Sequence, residues 1–416
     1  VNGDVETARS ASALRATAGS AAAFIRSKRW ATFRTFRFSK IAPRLVSLSI
    51  ALALTLPAFA ATPGDTRAGF TIARAPYTYS FPADHAAHPA YQSEWWYFTG
   101  HLHTSQGRRF GFELTFFRFG LRPGEDRPKP GQSRWRGTQL FPAHFAITDE
   151  QGRAFAYSER FAREALGMGG AATARLDVHA GDWTLRGEPL RDPRFEKMRL
   201  HAADGANALD LVQVPLKRPA VHGRDGVSRK AACLSCASHY YSYTRLETSG
   251  SLTYGGTRFA VNGISWMDHE YGSSELQTDE VGWDWFSLQL DDGRELMLYL
   301  LRRKDGSVTP ESSGSLIARD GSVTYLSLRD FTVALRGNTH WHSPHTGASY
   351  PALWVVNVPS AGLSVSLAPV VADQELASTT GGVSYWEGAV DVLDGDGKPL
   401  GLGYVELTGY AGSVSL

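Results

Sequence analysis

The sequence predicts an all-β protein of two similar domains, on three observations. Apolar residues alternate with period two, and the 3.6-residue period of helices is weak almost everywhere. Short apolar runs are broken by Gly, Pro and Asp, with 42 Gly and 20 Pro among 416 residues. One pattern, aromatic strand, Gly turn, apolar strand, Arg, occurs twice. It runs from Trp95-Trp96-Tyr97-Phe98 through Gly107 to Arg118, and from Trp283-Asp284-Trp285-Phe286 through Gly293 to Arg302. The length suits two domains of about 150–200 residues. With 43% apolar and 20% charged residues, the chain can bury a core and is not a disordered polymer. Its 11 Trp suit aromatic-lined cavities.

The elements follow in order. Arg26 to Arg44 is a basic stretch, Leu45–Leu56 is apolar, and Ala58-Phe59-Ala60 has the small residues of a cleavage site. This predicts a secretory signal over residues 1–60, cleaved after Ala60, and a periplasmic or secreted product. A membrane anchor is the alternative, but the run is short and Pro57 follows it. No later run reaches membrane length, so the mature chain is not expected to be an integral membrane protein. Residues 61–92 are irregular, with Pro63, Pro76, Pro82 and Pro89. Phe110–Phe116 alternates as a half-buried strand. Leu121–Gln132 is a Pro- and charge-rich loop, and Asp192–Met198 could form a short helix. Pro215–Ala237 is a basic loop with Lys217, Arg218, Arg224, Arg229 and Lys230. It leads to a domain boundary placed between 245 and 246, giving domains 61–245 and 246–416. Asp-Gly turns at Gly293 and Gly321 then separate the strands Phe286–Leu290, Leu296–Leu301 and Val323–Leu328.

The charge balance narrows the partners. Residues 1–60 hold nine Lys or Arg against two acids, so they carry +7 of a formal +2 and the remainder carries −5. A mildly acidic mature chain argues against nucleic acid.

Five segments in order resemble the carotenoid 1,2-hydratase-like, or AttH-like, family. They are Ser93–Leu102 with Gly111–Arg118; Tyr240–Arg245; Trp266–Gly272 with Gly282–Phe286; Ser343-Pro344 with Thr346-Gly347, Tyr350-Pro351 and Trp354; and Tyr385–Val390 with Gly403–Tyr410. The resemblance implies a tandem of two lipocalin-like antiparallel β-barrels and an exported protein that binds an apolar ligand. Its relatives include hydratases that add water to a C=C bond of acyclic carotenoids. Others are encoded near transport systems, which implies the alternative of a non-catalytic carrier of a lipophilic molecule partnered with an ABC-type transporter.

Hydration of an isolated C=C bond needs a proton donor, a cation-stabilising surface and a group that handles water, and no cofactor. A carboxyl kept protonated by an apolar site can be the donor. In an extended strand Trp266, Asp268 and Glu270 share one face, which makes Asp268 the candidate acid. The hydratases carry a His-x-Trp pair and then a Tyr-x-Asp pair. His239 and Asp268 match these, while Tyr241 and Trp266 exchange the aromatics. The resemblance thus assigns the proton to Asp268, cation stabilisation to Trp266 and Tyr241, and water to His239. The competing reading pairs Asp268 with Arg245 or Arg302. Trp95, Trp96, Glu113, Trp283 and Trp285 are candidate ligand-binding residues. Against this, the Trp residues could be core and Glu113 could pair with Arg118.

Other signals are weaker. Cys233 and Cys236 are spaced for a local disulfide in an oxidising compartment. His340, His342 and His345, and His101 with His103, are sparse metal patterns, so no metal site is assigned. H-E-x-x-H, G-x-S-x-G and a phosphate loop are absent, which disfavours a zinc peptidase or serine hydrolase.

Overall fold

The computed structural model describes residues 69–123, 133, 135–233, 235–273, 276–380 and 382–414. The expected signal, residues 1–60, and most of the Leu121–Gln132 loop lie outside the described residues. The chain forms β1 (Ser93–His103), β2 (Arg109–Gly120), β3 (Gln139–Asp149), β4 (Ala154–Arg163), β5 (Gly169–Ala171), β6 (Asp177–Ala180), β7 (Trp183–Pro189), β8 (Glu196–Asp204), β9 (Asn207–Pro215), β10 (Ala220–Val221), β11 (Ser228–Arg229), β12 (Ala237–Tyr254) and β13 (Thr257–Gly272). A second series follows: β14 (Glu280–Leu290), β15 (Glu295–Arg303), β16 (Ser313–Ile317), β17 (Val323–Ser327), β18 (Thr332–Leu335), β19 (His340–His342), β20 (Ser349–Pro351), β21 (Trp354–Val358), β22 (Leu363–Pro369), β23 (Glu375–Leu376), β24 (Tyr385–Leu393) and β25 (Pro399–Leu407). The only helical turns among the described residues are three short 3₁₀ turns. Asp192–Met198 is not a helix. Its first residues turn and β8 begins at Glu196, where alternating Glu196, Met198 and Leu200 enter the core.

Strands β1–β13 make one antiparallel sheet and ten of the later strands another, with β19 and β20 paired apart. Each sheet curls into a lipocalin-like barrel. The strand orders match: β4-β3-β2-β1-β13-β12-β9-β8-β7 in the first and β17-β16-β15-β14-β25-β24-β22-β21-β18 in the second. In both, the last strand returns beside the first. The repeated sequence pattern is therefore a repeated hairpin, β1–β2 and β14–β15. Gly107 and Gly293 turn these hairpins with φ of 82° and 83°, where a side chain would be strained.

The three largest apolar clusters among the described residues follow. Trp96, Phe98, Phe112 and Leu114 fill the first barrel, and Phe286, Leu288, Val390 and Val405 fill the second. Tyr97, Tyr240, Trp266, Trp285, Tyr299 and Tyr404 form a third, between the barrels. Gly111 permits that docking, since a Cβ there would lie 2.5 Å from the Tyr404 hydroxyl and 3.0 Å from Ala389.

The boundary expected at 245/246 falls inside β12, and the sheets change over between Gly272 and Glu280. The basic Pro215–Ala237 segment is not a linker. It leaves the first sheet, crosses the second barrel and returns to pair with β12. Lys217 donates to Glu295 at 2.7 Å, Arg218 to the Gly321 carbonyl at 3.2 Å, and the Arg224 guanidinium lies 4.4 Å from the Tyr325 ring.

Arg118 points into the first barrel and pairs with Glu94 at 2.7 Å, with both side chains fully buried. It also donates to the carbonyls of His88 and Tyr91. The equivalent Arg302 pairs with Asp284 at 2.7 Å and donates to the Thr408 carbonyl. Arg118→Met would leave buried Glu94 without its guanidinium partner, with only the His88 and His269 rings against it. A loss of about 3–5 kcal/mol is expected in urea unfolding. Arg302→Met should cost less, because that pair is partly exposed, 18% and 11%.

Candidate functional site

A cavity of about 80 Å³ lies between the barrels. Its lining comes from both halves, and largely from equivalent positions. Tyr97 is opposite Asp268 in the β1–β13 ladder, and Trp285 is opposite Glu406 in the β14–β25 ladder. Tyr97 is also opposite Thr115, as Trp285 is opposite Tyr299. With Trp95 and Trp283, Phe117 and Leu301, and Tyr240 and Tyr385, these pairs make up most of the lining. Lys230, Glu270 and Leu276 complete it without counterparts. Trp95, Phe117, Leu276 and Trp283 are half-exposed and form the mouth, while Tyr97, Tyr240, Asp268 and Trp285 are buried.

Asp268 lies deep in this site. Tyr240 Oη donates to its Oδ2 at 2.6 Å, and Trp266 Nε1 and the Ser242 hydroxyl donate to Oδ1, the former at 2.6 Å. Trp285 Nε1 in turn donates to Tyr240 Oη at 3.0 Å. Behind Ser242, His222 contacts the Ser242 and Ser315 hydroxyls at 2.6 and 2.8 Å. Burial pushes the Asp268 carboxyl up to about 7, against the three donors, with Glu270 adding a smaller push upward. Burial drives His222 down to about 3, so it is a neutral imidazole. Glu270 is held by Lys230 Nζ at 2.6 Å and by the Ser238 hydroxyl. The Lys230 ammonium lies 4.4 Å from the Tyr299 ring centroid.

The expected site residues divide by strand parity. Trp266, Asp268 and Glu270 share one face, as alternation requires. Asp268 pairs with neither Arg245 nor Arg302, which bind Glu295 and Asp284. Trp266 is buried beside Asp268 and orients it. Trp95, Trp283 and Trp285 line the cavity. Trp96 instead lies in the first core, stacked on His269 at 4.9 Å. His239 and Tyr241 are not at the site. They alternate away from Tyr240 and Ser242 into the first barrel, where Tyr241 Oη meets His85 at 2.7 Å and His239 packs 3.8 Å from Tyr77. Their places at Asp268 are taken by Tyr240 and Ser242. Glu113 does not pair with Arg118, five residues on and on the opposite face. It is buried on the docking wall, neither oxygen makes a hydrogen bond, and burial pushes it up to about 8. Cys233 and Cys236 are disulfide-bonded on the strap beside Lys230.

Sequence reading missed three groups. Glu406 faces the cavity, with Trp283 Nε1 donating to its Oε2 at 3.0 Å, and burial pushes it up to about 7. Glu387 accepts from Tyr97 Oη at 2.7 Å and is also raised by burial. His88, Glu94 and His269 cluster inside the first barrel with atoms within 4.8 Å. Both His88 ring nitrogens face carboxylates, Glu94 at 2.9 Å and Asp84 at 3.3 Å, which raise its pKa against burial. With Arg118 also on Glu94, this cluster satisfies itself with protein cations.

The raised carboxyls set a pH dependence. Unfolded, they ionise near 4; folded, Asp268 and Glu406 keep their protons to about 7 and Glu113 to about 8. The folded state therefore binds more protons over that window, and their contribution to stability falls as pH rises from about 4 to about 8. Glu113→Gln should shrink the drop in Tm between pH 5 and pH 8, read by calorimetry. An unchanged drop would show that Glu113 ionises normally.

The comparisons agree with this architecture. The AttH-like family model matches residues 72–410. The chain is similar to a crystallised AttH protein of Nitrosomonas europaea, at 31% identity and a TM-score of 0.71, over 82% of this chain and 100% of that one. It shares its fold with kievitone hydratase of Nectria haematococca, at 15% identity and a TM-score of 0.60, over 85% and 99%. CghA, solved with Sch210972, is 11% identical with a TM-score of 0.50, over 84% and 98%. No curated protein sequence matches significantly. A family match spanning both barrels and the cavity between them places the chain in the AttH-like family.

Proposed function

We propose that the chain is a hydratase that adds water across a C=C bond at the end of an apolar chain, an isoprenoid such as an acyclic carotenoid. The observation that carries this reading is Asp268, a buried carboxyl raised to about 7 on an aromatic cavity. Burial keeps the proton on at rest. The Tyr240 and Ser242 hydroxyls can accept from the protonated carboxyl and turn to donate as it ionises. With Trp266 Nε1 they stabilise the charge that develops on Asp268 as its proton leaves. Tyr97, Trp285 and Tyr385 line the space in which the cation would form, and their rings can stabilise it. The hydratase from Nectria, built on the same fold, supports the reaction class.

The size of the cavity bears on the substrate. At about 80 Å³ it is smaller than the roughly 150 Å³ that accepts a benzene ring. It suits the branched end of a chain whose remainder stays outside the mouth. A carrier would enclose most of its ligand, typically in about 300–1,000 Å³, which makes the transport-associated reading the less favoured at this cavity. The proposed setting is outside the cytoplasm, after removal of residues 1–60.

The test is mass spectrometry in oxygen-18 water, with acyclic carotenoids and an envelope-lipid extract as substrates. The expected product is heavier by one labelled water. Asp268→Asn should lower its formation by at least about 10²-fold while the variant still unfolds in one cooperative transition. Full turnover in that variant would remove Asp268 from the chemistry. Lipid co-purifying at unchanged mass, with no labelled product, would favour the carrier.

A further inference from the structure

We infer that Glu406 is the base that takes the proton from the attacking water, acting across the cavity from Asp268; this rests on the hydratase reading above. Four observations support it. Glu406 and Asp268 occupy equivalent positions in the two barrels and line one cavity. Asp268 is buried, whereas Glu406 is half-buried beside Trp283, which is itself half-buried. Asp268 has both oxygens engaged, whereas Glu406 accepts from Trp283 of the mouth at Oε2, and no bond to Oε1 is made among the described residues. Two like carboxylates in one low-dielectric site resist ionising together, so near neutral pH the pair holds one proton. Fuller burial disfavours charge on Asp268 more than on half-buried Glu406, which assigns that proton to Asp268 as the acid and leaves Glu406 as the base.

The step balances without a co-reactant. The Asp268 O–H bond breaks and its proton forms a C–H bond with the π electrons of the alkene. The neighbouring carbon becomes a cation. A water oxygen at the Glu406 side forms the C–O bond, and one of its protons passes to Oε1 of Glu406. Asp268 ends ionised and Glu406 protonated. Exchange of one proton through water at the mouth restores both. The other titratable groups around Glu406 are Glu270 on β13, Glu113 on β2 and Glu387 on β24, with Lys230 on the strap.

The experiment uses the full chain, lycopene in detergent micelles and deuterated buffer. Wild type should yield deuterated hydrate. Glu406→Gln should lower hydrate by at least about 10²-fold, yet still place deuterium in recovered lycopene, because the cation forms and reverts. Asp268→Asn should lose both signals. Normal hydration in Glu406→Gln with none in Asp268→Asn would overturn the role of Glu406 and leave the hydratase reading standing. Neither hydrate nor deuterium with wild type would overturn both. If Glu406→Gln does not fold, Trp283→Phe provides the test. Loss of the indole donor should raise the Glu406 pKa and move the rising limb of the pH–rate profile upward. A limb that stays in place would also overturn the inference.

Discussion

Burial of both faces of the docking strands is the constraint on which the rest depends. In β1, Trp96 and Phe98 enter the first barrel while Tyr97 meets the second. The same holds for Tyr241 against Tyr240, and for Met267 against Trp266. An ordinary antiparallel strand has one wet face that tolerates any polar residue. Here each polar group on either face must find a partner or change its charge state. Tyr97 finds Glu387, Thr148 finds Gln374 at 2.8 Å, and Gln289 reaches the Thr244 and Ser265 carbonyls. Glu113 has no well-formed hydrogen bond among the described residues, and burial raises its pKa to about 8.

The same constraint makes the chemistry available. An aromatic wall offers little to a carboxylate, so charge is disfavoured and a proton is retained at pH values where exposed acids have lost it. Burial decides where the proton rests, and hydrogen bonds stabilise the charge as it leaves. Asp268 has three donors, Glu406 one and Glu113 none. One wall thus holds carboxyls of graded readiness without a metal-like charge nearby. The strap limits this effect at one edge, where Lys230 neutralises Glu270.

Much of this was legible in the sequence. Turn residues and period-two alternation gave the all-β class, and the recurrence of aromatic strand, Gly and Arg gave two repeats. Alternation within β13 put Trp266, Asp268 and Glu270 together. What failed was pairing between strands. Choosing His239 and Tyr241 required knowing that Ser242 lies opposite Asp268, which is set by the β12–β13 register and a bulge after Tyr243. Nothing local to either strand reports that register. Parity alone could have ruled out a Glu113–Arg118 pair, since an odd spacing puts the two on opposite faces. The 245/246 boundary followed the Pro- and Lys-rich strap, whose composition resembles a linker although its side chains anchor the second barrel. Glu406 was inside a recognised segment, but only the docking of the barrels brings it to Asp268.

The matching strand orders and the paired cavity positions have a further implication. Equivalent surfaces meeting each other are the mark of an isologous contact, the kind two identical subunits make about a two-fold axis. Such a site would begin with the same carboxyl on both sides. Joined in one polypeptide, the halves are free to differ. The two halves differ at equivalent positions, with Asp268 against Glu406 and Ser242 against Glu387, and only one half carries the strap. Different groups at equivalent positions give the pocket a direction that a site between identical subunits would lack.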